Sequence, residues 1–366
     1  MILTVIFYIL VVTTAIQISY FLCFSSILFL KEKKVSTEQI PISIIVCAKN
    51  EAENLQEFLP SIINQKYSNF ELVLINDASS DDTLEVMKSF KEQHANIKIV
   101  NVKNNEAFWG NKKYALTLGI KVATNEHLLF TDADCKPVSK LWIQTIAQKF
   151  SNKKTIVLGY GKYKTLNTFV NILVRFETLI TAIQYFSYAK LGSPYMGVGR
   201  NLGYTKKEFF KTNGFISHIQ VRSGDDDLFI QEAATTTNTE ICLQAKSFTT
   251  SNPPVTLKEW YRQKRRHIST SSYYKFKHKF FLGLYFISKF LFYVTGFILF
   301  FLMSWKLITP IVAFYFIGLY FIFGLSAKRL KEKNLILILP FLEIFLLLFQ
   351  FTIFISNTFS KPTHWK

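Results

Sequence analysis

Apolar residues follow two different patterns along this chain of 366 residues. Near the ends they form four long runs, at residues 2–30, 280–305, 307–327 and 334–360. The first and third runs contain no charged residue, and the second and fourth contain one each, Lys289 and Glu343. A helix needs about 20 apolar residues to cross a bilayer. The pattern therefore predicts one N-terminal and three C-terminal transmembrane helices.

The first run is expected to stay in the protein as an anchor. A cleaved signal peptide carries a basic leader before a shorter apolar core, whereas here Lys31, Lys33 and Lys34 come after the run. Positively charged loops remain in the cytoplasm, so these lysines and the basic residues of segment 328–333 place residues 31–279 inside the cell. We expect a multi-pass protein of the cell (inner) membrane with both ends outside.

Between residues 41 and 161, short apolar runs alternate with amphipathic stretches, which is typical of βα units around a mostly parallel sheet. Strands are predicted at residues 42–47, 70–75, 97–102, 127–130 and 155–158. Helices are predicted at residues 51–64, 82–93, 112–122 and 140–150. The amphipathic segment 169–188 suits either the membrane surface or a cover over the site. The class is α/β.

The net charge of +18 comes from 43 basic and 25 acidic residues. Much of it lies in residues 258–279, where eight basic residues accompany one acidic residue, Glu259. This stretch adjoins a predicted span, and anionic headgroups attract each such basic residue by about 1 kcal/mol. We expect membrane lipids rather than nucleic acid as its partner. The predicted organisation is a membrane helix at 1–30, a cytoplasmic domain at 31–255, a basic interfacial segment at 256–280 and three membrane helices at 281–360.

Acidic or polar residues directly follow three of the predicted strands. They are Asn50 and Glu51, which come after Ala48 at the end of the first strand, Asp77 after the second, and Asp132 and Asp134 after the fourth. In such sheets the ligand site lies beyond the carboxyl ends of the strands, and converging carboxylates repel each other unless a cation compensates. Mg²⁺ or Mn²⁺ with a phosphate ligand would do so. The alternative is local structure: residues 79–82 suit a helix N-cap, and Asp132 and Asp134 suit a turn.

These residues resemble the motifs of family 2 glycosyltransferases, inverting nucleotide-sugar enzymes with the GT-A (Rossmann-like) fold. The resemblance covers about residues 42–270. Its motifs are the opening strand with Asn50 and Glu51, the strand–Asp segment 74–81, the helix start at Lys112, the DxD motif at 132–134, the glycine-rich segment 197–202, the catalytic segment 223–228 and the segment 263–267. The last of these resembles the Gln-x-x-Arg-Trp motif of cellulose, chitin and hyaluronan synthases.

The resemblance implies a role for each matching residue. Donor-binding residues would be Ala48, Asn50, Glu51, Asp77, Lys112, Asp132, Gln263 and Arg266. Acceptor-side residues would be Gly199, Arg200, Asn201, Asp227 and His267. Asp134 would hold Mg²⁺ or Mn²⁺, the donor would be a nucleotide sugar, with UDP expected, and the acceptor would be lipid-linked or a glycan.

An attacking hydroxyl must lose its proton, which calls for a positioned carboxylate. We predict that Asp226 is this base, with Asp225 as the second candidate, because like charges in the cluster Asp225–Asp227 raise an apparent pKa there. The alternative is that these residues open the helix predicted at 226–234 as N-caps.

The leading hypothesis is a membrane-anchored inverting glycosyltransferase of the hexosyl- or N-acetylhexosaminyl-transferase type. A processive polysaccharide synthase is the alternative, although His267 stands where such synthases have a Trp that packs on the acceptor sugar. An alternative of another class is a catalytically silent membrane scaffold or transport subunit. Four carboxylates argue against it: Asp77, Asp132, Asp134 and Asp226.

The two charges inside the apolar runs are predicted to pair. Lys289 and Glu343 each lie nine residues from the cytoplasmic end of their run, a depth of about 13 Å. Charged residues at such depth generally pair or line a polar cavity. The competing interpretation is that Lys289 snorkels to the headgroups and Glu343 is protonated.

Overall fold

The computed structural model describes residues 1–30, 39–103, 112–221 and 223–360. Their contacts divide the chain into two compact units. The membrane unit contains described residues of Met1–Leu30, Asn167–Leu191 and Thr256–Pro362, and the sheet unit contains described residues of Lys31–Leu166 and Gly192–Val255. The cluster Lys31, Lys33 and Lys34, on which the predicted orientation depends, lies outside the described residues.

A mostly parallel sheet, seven-stranded in the described part of the chain, forms the centre of the sheet unit. In spatial order its strands are β3 (Ile97–Val102), β2 (Phe70–Asp77), β1 (Ile42–Ala48), β4 (His127–Asp132), β8 (Leu202–Thr205), β6 (Ile156–Leu158) and β9 (Thr239–Ile241). Strand β8 runs antiparallel to β4 and β6, while the other described pairs are parallel. The inner strands are buried almost throughout, as expected for a parallel sheet covered on both faces. The predicted α/β class is confirmed.

A second sheet, three-stranded within the described ranges, consists of β5 (Cys135–Pro137), β10 (Thr249–Ser251) and β7 (Gly161–Tyr163). The sequence did not predict these strands. Each has three residues, which is too short to show the two-residue alternation by which strands are recognised.

Helices cover the sheets. They are α2 (Ala52–Ile63), α3 (Thr83–Gln93), α4 (Lys112–Val122), α5 (Trp142–Ala147), α7 (Lys206–Lys211) and α8 (Asp227–Ala233). Helix α2 packs through an apolar face. This face consists of Leu55, Phe58, Leu59 and Ile62, which recur at helical spacing and are all buried. Helix α5 is shorter than predicted, because the chain after Ala147 tightens into turns in which Lys149 and Phe150 bond to the third residue before them.

The membrane unit is helical. Its helices are α1 (Ile2–Ser25), α6 (Phe169–Lys190), α9 (Leu257–Ser269), α10 (Phe276–Leu302), α11 (Trp305–Arg329) and α12 (Leu339–Phe359). Among the described residues, five helical segments are long and apolar enough to cross a membrane. Four correspond to the predicted N-terminal and C-terminal spans, and the fifth is α6.

Helix α6 nevertheless does not form a complete crossing. Strand β8 follows α6 in the chain, yet it is hydrogen-bonded to β4 and β6, which precede α6. A single crossing by α6 would put these strands on opposite sides of a hydrocarbon core about 30 Å thick. The strand pairing therefore excludes a single crossing by α6, while α1, α10, α11 and α12 remain long and apolar enough to cross. At the end of α12, Asn357 accepts from Arg265 of α9, so the end of α12 lies beside the helix that precedes α10.

Two predicted boundaries differ from the structure. The predicted domain 31–255 is interrupted by α6, whose buried apolar residues pack with the membrane unit. The predicted interfacial segment 256–280 contains α9 and the first turn of α10, which begins at Phe276.

The predicted ion pair between Lys289 and Glu343 is confirmed: Lys289 Nζ lies 2.5 Å from Glu343 Oε1. Lys289 also donates to the Tyr285 hydroxyl at 2.7 Å. The second carboxylate oxygen of Glu343 accepts hydrogen bonds from the hydroxyls of Tyr293 and Tyr315, each at 2.6 Å. The buried carboxylate thus has a partner at both oxygens.

Candidate active site

The carboxyl ends of β1, β2 and β4 bring the predicted donor-side residues together. The parallel register sets Cys47 beside Asp132 and Ala48 beside Asn76, the residue before Asp77. Ala48 is buried as the last residue of β1. Burial also raises the pKa of Asp77, partly offset by the charges of Lys49 and Lys112.

The loops after β1 and β2 are joined by hydrogen bonds. Asn50 has a φ of 55°, a left-handed conformation that Asn tolerates, and its Oδ1 accepts from Ser80 N at 2.8 Å. Glu51 N donates to Thr83 Oγ1 at 2.9 Å. Asn50 and Glu51 therefore shape the rim of the site in addition to any contact with a ligand.

Lys112, the first residue of α4, connects two groups of carboxylates. Its Nζ lies 2.9 Å from Asp132 Oδ1 and 3.1 Å from Asp225 Oδ2. Burial by itself would lower the pKa of Lys112, but Asp132 and Asp225 outweigh it and hold the pKa well above its usual value. The three residues line one cavity together with Gly199, Tyr204 and Asp226.

Asp132 and Asp134 are suited to a divalent cation. Ligand atoms of Asp132, Asp134 and Cys135 all lie within 4.8 Å of one another. Burial and the charge of Asp132 raise the pKa of Asp134 to about 6, against opposing effects of Cys135 and Arg200. Carboxylate oxygens suit Mg²⁺ or Mn²⁺, whereas the Cys135 thiol is soft and donates to Asp134 Oδ1 at 3.3 Å. The oxygen donors fit the predicted metal.

Arg200 lies on this side of the cluster. Its guanidinium is 4.3 Å from the centre of the Tyr163 ring, and its Nη1 donates to Ser251 Oγ at 2.9 Å. Both partners belong to the second sheet, which the sequence did not reveal. Because the charge of Arg200 acts on Asp134, Arg200 lies near the predicted metal ligands. Its predicted contact with the acceptor stays a prediction.

The three neighbouring aspartates have different contacts. Asp226 is the N-cap of α8: its Oδ1 accepts from Asp227 N and its Oδ2 from Gly199 N, each at 2.8 Å. Burial, then the charges of Asp225 and Asp227, raise the pKa of Asp226 to about 7. Asp225 instead presents its carboxylate to Lys112. The helix-capping alternative therefore describes Asp226, which we predicted as the base, better than it describes Asp225.

Two predicted acceptor-side residues have structural roles. Asn201 is fully buried, its Nδ2 donates to the carbonyls of Tyr160 and Ser247, and its Oδ1 accepts from Trp142 Nε1 at 3.0 Å. Asp227 is buried and its Oδ1 accepts from Leu228 N at 2.8 Å. The Asn201 side chain is not available to an acceptor, because both of its polar atoms bond within the fold. The predicted contact of Asp227 with an acceptor stays a prediction.

Lys113 was missed by the sequence analysis. Its side chain is almost completely buried, and its Nζ donates to the carbonyl oxygens of His218 and Val221 at 2.8 and 2.9 Å. Burial lowers the pKa of Lys113 to about 8. A lysine beside Lys112 looks like a second exposed helix-start cation, and no local signal reveals partners more than 100 positions away.

Gln263, Arg266 and His267 lie on α9 in the membrane unit. Two residues of α9 make contacts within this unit: Trp260 stacks on Phe349 with ring centres 4.0 Å apart, and Lys264 forms an ion pair with Glu177 at 2.5 Å. At about 100° per residue, His267 lies on the same side of the helix as Trp260, whereas Arg266 lies on a different side. Their predicted contacts with donor and acceptor stay predictions.

Comparison with known proteins matches this architecture. Residues 43–213 match the model of glycosyl transferase family 2. A poly-beta-1,6-N-acetyl-D-glucosamine synthase of Staphylococcus epidermidis is 30% identical over 180 residues, covering 45% of this chain and 41% of the relative. An uncharacterized glycosyltransferase of Haemophilus influenzae is 32% identical over 146 residues, covering 39% and 41%. The chain thus spans about two fifths of the length of these relatives.

Among solved structures, a mannosyltransferase from Pyrobaculum calidifontis in complex with GDP-Man and Mn²⁺ covers 92% of this chain and 97% of its own, with a TM-score of 0.59 and 14% identity. At that identity the likeness concerns the fold. Residues 43–213 therefore form a glycosyl transferase family 2 domain, and the fold is of the GT-A type. The chain carries this domain together with helices that are long and apolar enough to cross a membrane.

Proposed function

We propose that this protein is a membrane-anchored inverting glycosyltransferase that transfers one sugar from a nucleotide sugar, with UDP as the expected nucleotide, to a lipid-linked or glycan hydroxyl. The observation that carries the proposal is the cavity in which Lys112 joins the Asp132 side of the cluster to Asp225. A donor with its diphosphate at Asp132 and Asp134 would bring its reacting carbon toward the carboxylate that deprotonates the acceptor.

In this proposal each carboxylate has a separate task. Asp77 contacts the nucleoside. Asp132 and Asp134 would hold Mg²⁺ or Mn²⁺, which when bound would supply positive charge for the leaving diphosphate. Asp225 takes the proton of the acceptor hydroxyl as its oxygen bonds to the anomeric carbon and the bond to the diphosphate breaks. We choose Asp225 over Asp226 because both oxygens of Asp226 already accept backbone hydrogen bonds. Asp226 positions Gly199 and opens α8.

The proposed setting is the inner membrane with the sheet unit in the cytoplasm, where nucleotide sugars are made. A processive polysaccharide synthase is the second candidate, since a relative with 30% identity carries the name of such a synthase. Product length on a defined acceptor distinguishes the two: single additions support transfer, and a ladder of products supports polymerisation.

Activity of the purified full chain against a panel of nucleotide sugars tests the proposal. We expect hydrolysis or transfer that requires Mg²⁺ or Mn²⁺ and is abolished by a chelator. Asp134→Asn should lower the rate by about 10²-fold or more, as loss of a group that stabilises the transition state does. The exposed Asp82 provides the matched control, because Asp82→Asn alters a surface carboxylate outside the cavity. Full activity of Asp134→Asn would reject the metal site.

A further inference from the structure

A second cavity lies inside the membrane unit, and no step of the proposed transfer uses it. Its volume is about 230 Å³. Faces of three helices and one residue of α9 form its walls: Phe176, Ile180 and Gln184 of α6, Ile268 of α9, Leu282, Tyr285, Phe286 and Lys289 of α10, and Glu343, Leu346, Leu347 and Gln350 of α12. Most of this lining is apolar, as in a site for a hydrocarbon chain.

Three polar groups in the lining have hydrogen-bonding capacity to spare. Lys289 is 6% exposed and carries three N–H donors, of which Tyr285 and Glu343 take two. The side-chain amides of Gln184 and Gln350 make no hydrogen bond to any residue that the structure describes. A polar group without a partner in an apolar setting costs about 1–3 kcal/mol, so a ligand that supplies partners here gains affinity.

The charge of the site selects the kind of ligand. Lys289 and Glu343 neutralise each other, so an anionic headgroup would bring an uncompensated charge near the middle of α10, where the dielectric constant is low. An uncharged hydroxyl or ester would satisfy the spare Lys289 N–H and the two amides at no such cost. An ordered water molecule needs two to four polar partners. Because the walls are mostly apolar, they can supply such partners to only a few water molecules.

We propose that this cavity binds part of a neutral lipid of the diacylglycerol type, with its hydroxyl or ester group at Lys289, Gln184 and Gln350 and the adjoining segment of one hydrocarbon chain against the leucine and phenylalanine side chains. The site belongs to the membrane unit and does not depend on the proposed transfer reaction.

Photolabelling of the full chain in nanodiscs tests this site. The probe is a diacylglycerol with a diazirine in one acyl chain, and dioleoylglycerol is the competitor. We expect the probe to label peptides from α6, α10 and α12, and dioleoylglycerol to reduce this labelling. The corresponding phosphatidic acid probe should label them more weakly. Equal labelling by both probes would contradict the charge argument, and absence of competable labelling would overturn the site.

Two neighbouring leucines give a matched pair of variants. Leu347 lines the cavity and is 4% exposed, whereas Leu348 is 54% exposed on the same helix. Leu347→Trp should lower competable labelling by about tenfold, a loss of ~1.4 kcal/mol, and Leu348→Trp should label like the wild type. If Leu347→Trp is misfolded by its melting temperature, the double variant Gln184→Leu with Gln350→Leu decides: lower labelling supports the site, and unchanged labelling overturns it.

Discussion

Asp225 and Asp226 are adjacent carboxylates whose oxygens contact different groups. Asp226 accepts from Gly199 N and Asp227 N, whereas Asp225 faces Lys112. We expect Asp225→Asn to lower turnover by roughly 10²-fold or more with little change in donor KM, as loss of a general base does. Asn can still accept a capping bond at position 226, so Asp226→Asn should cost less than about tenfold. Steady-state kinetics of both variants decides, and the reverse order would return the base to Asp226.

The pKa of Asp226 also gives a prediction about stability. Burial and its acidic neighbours raise this pKa from 3.8 to about 7 in the folded protein. The folded state therefore binds more protons than the unfolded state between these values, and the free energy of unfolding falls as pH rises from 3.8 to about 7. Above about pH 7 the free-energy cost of burying the ionised Asp226 carboxylate is fully present.

Asp226→Asn removes this titration. We expect the difference in melting temperature, variant minus wild type, to be about 2–4 °C larger at pH 8 than at pH 5. A change of ~1 kcal/mol in the free energy of unfolding produces a shift of this size in a larger domain. Thermal unfolding at a series of pH values measures it, with the exposed Asp82→Asn as the control. If the difference in melting temperature between the variant and the wild type does not change with pH, burial does not raise the pKa of Asp226.

Among the elements, strands with continuous apolar runs could be predicted from sequence, including the three-residue β6, whereas β5, β7 and β10 could not. β1, β2 and β4 begin where the apolar runs begin, because a strand covered on both faces needs continuous apolar residues. β5, β7 and β10 are formed by pairing with distant segments, as Thr249 with Gly161 and Pro137. Tyr163 of β7 and Ser251 of β10, which contact Arg200, could not be predicted for the same reason, because their strands form only by pairing with distant segments.

Some residues of the candidate active site could be predicted from the sequence, whereas the contacts between them could not. Asp132, Asp134 and Lys112 could be predicted because each follows a strand or opens a helix at the carboxyl end of the sheet. The contact between Lys112 and Asp225 joins positions far apart in the chain, and no local pattern records it. Nor did the sequence distinguish Asp225 from Asp226, because that distinction rests on the backbone N–H of Gly199.

The buried pair of α10 and α12 supplies a prediction about packing between helices. Lys289→Met leaves Glu343 charged without its cation, and breaking a buried pair by removing one partner typically costs about 3–5 kcal/mol. The double variant Lys289→Met with Glu343→Gln removes both charges and should recover most of this loss. Melting temperatures in detergent measure both, and Lys306→Met, at an exposed lysine of α11, is the control. Equal losses in single and double variants would show that the pairing of charges does not stabilise the helices.

On the scale of the whole molecule, strand pairing limits which residues can share a side of the membrane. Residues before and after α6 build one sheet, so we expect the sheet unit to lie on a single side. We predict that α10 crosses the membrane and that the turn between α10 and α11, at Ser304, lies on the other side. Applied to the basic residues of segment 328–333, the positive-inside rule predicts that the sheet unit lies in the cytoplasm.

Labelling of single introduced cysteines in intact cells tests this arrangement. Ser304 and Ser151 are both exposed, one in the turn and one in the sheet unit, and Ser→Cys is a small change at each. In a Cys23→Ala background, which removes the exposed native thiol, a membrane-impermeant maleimide should label Ser304→Cys in intact cells and Ser151→Cys after lysis alone. Labelling of Ser151→Cys in intact cells with protection of Ser304→Cys would invert the orientation. Labelling of both in intact cells would contradict a crossing by α10, since α10 would then not separate the two positions.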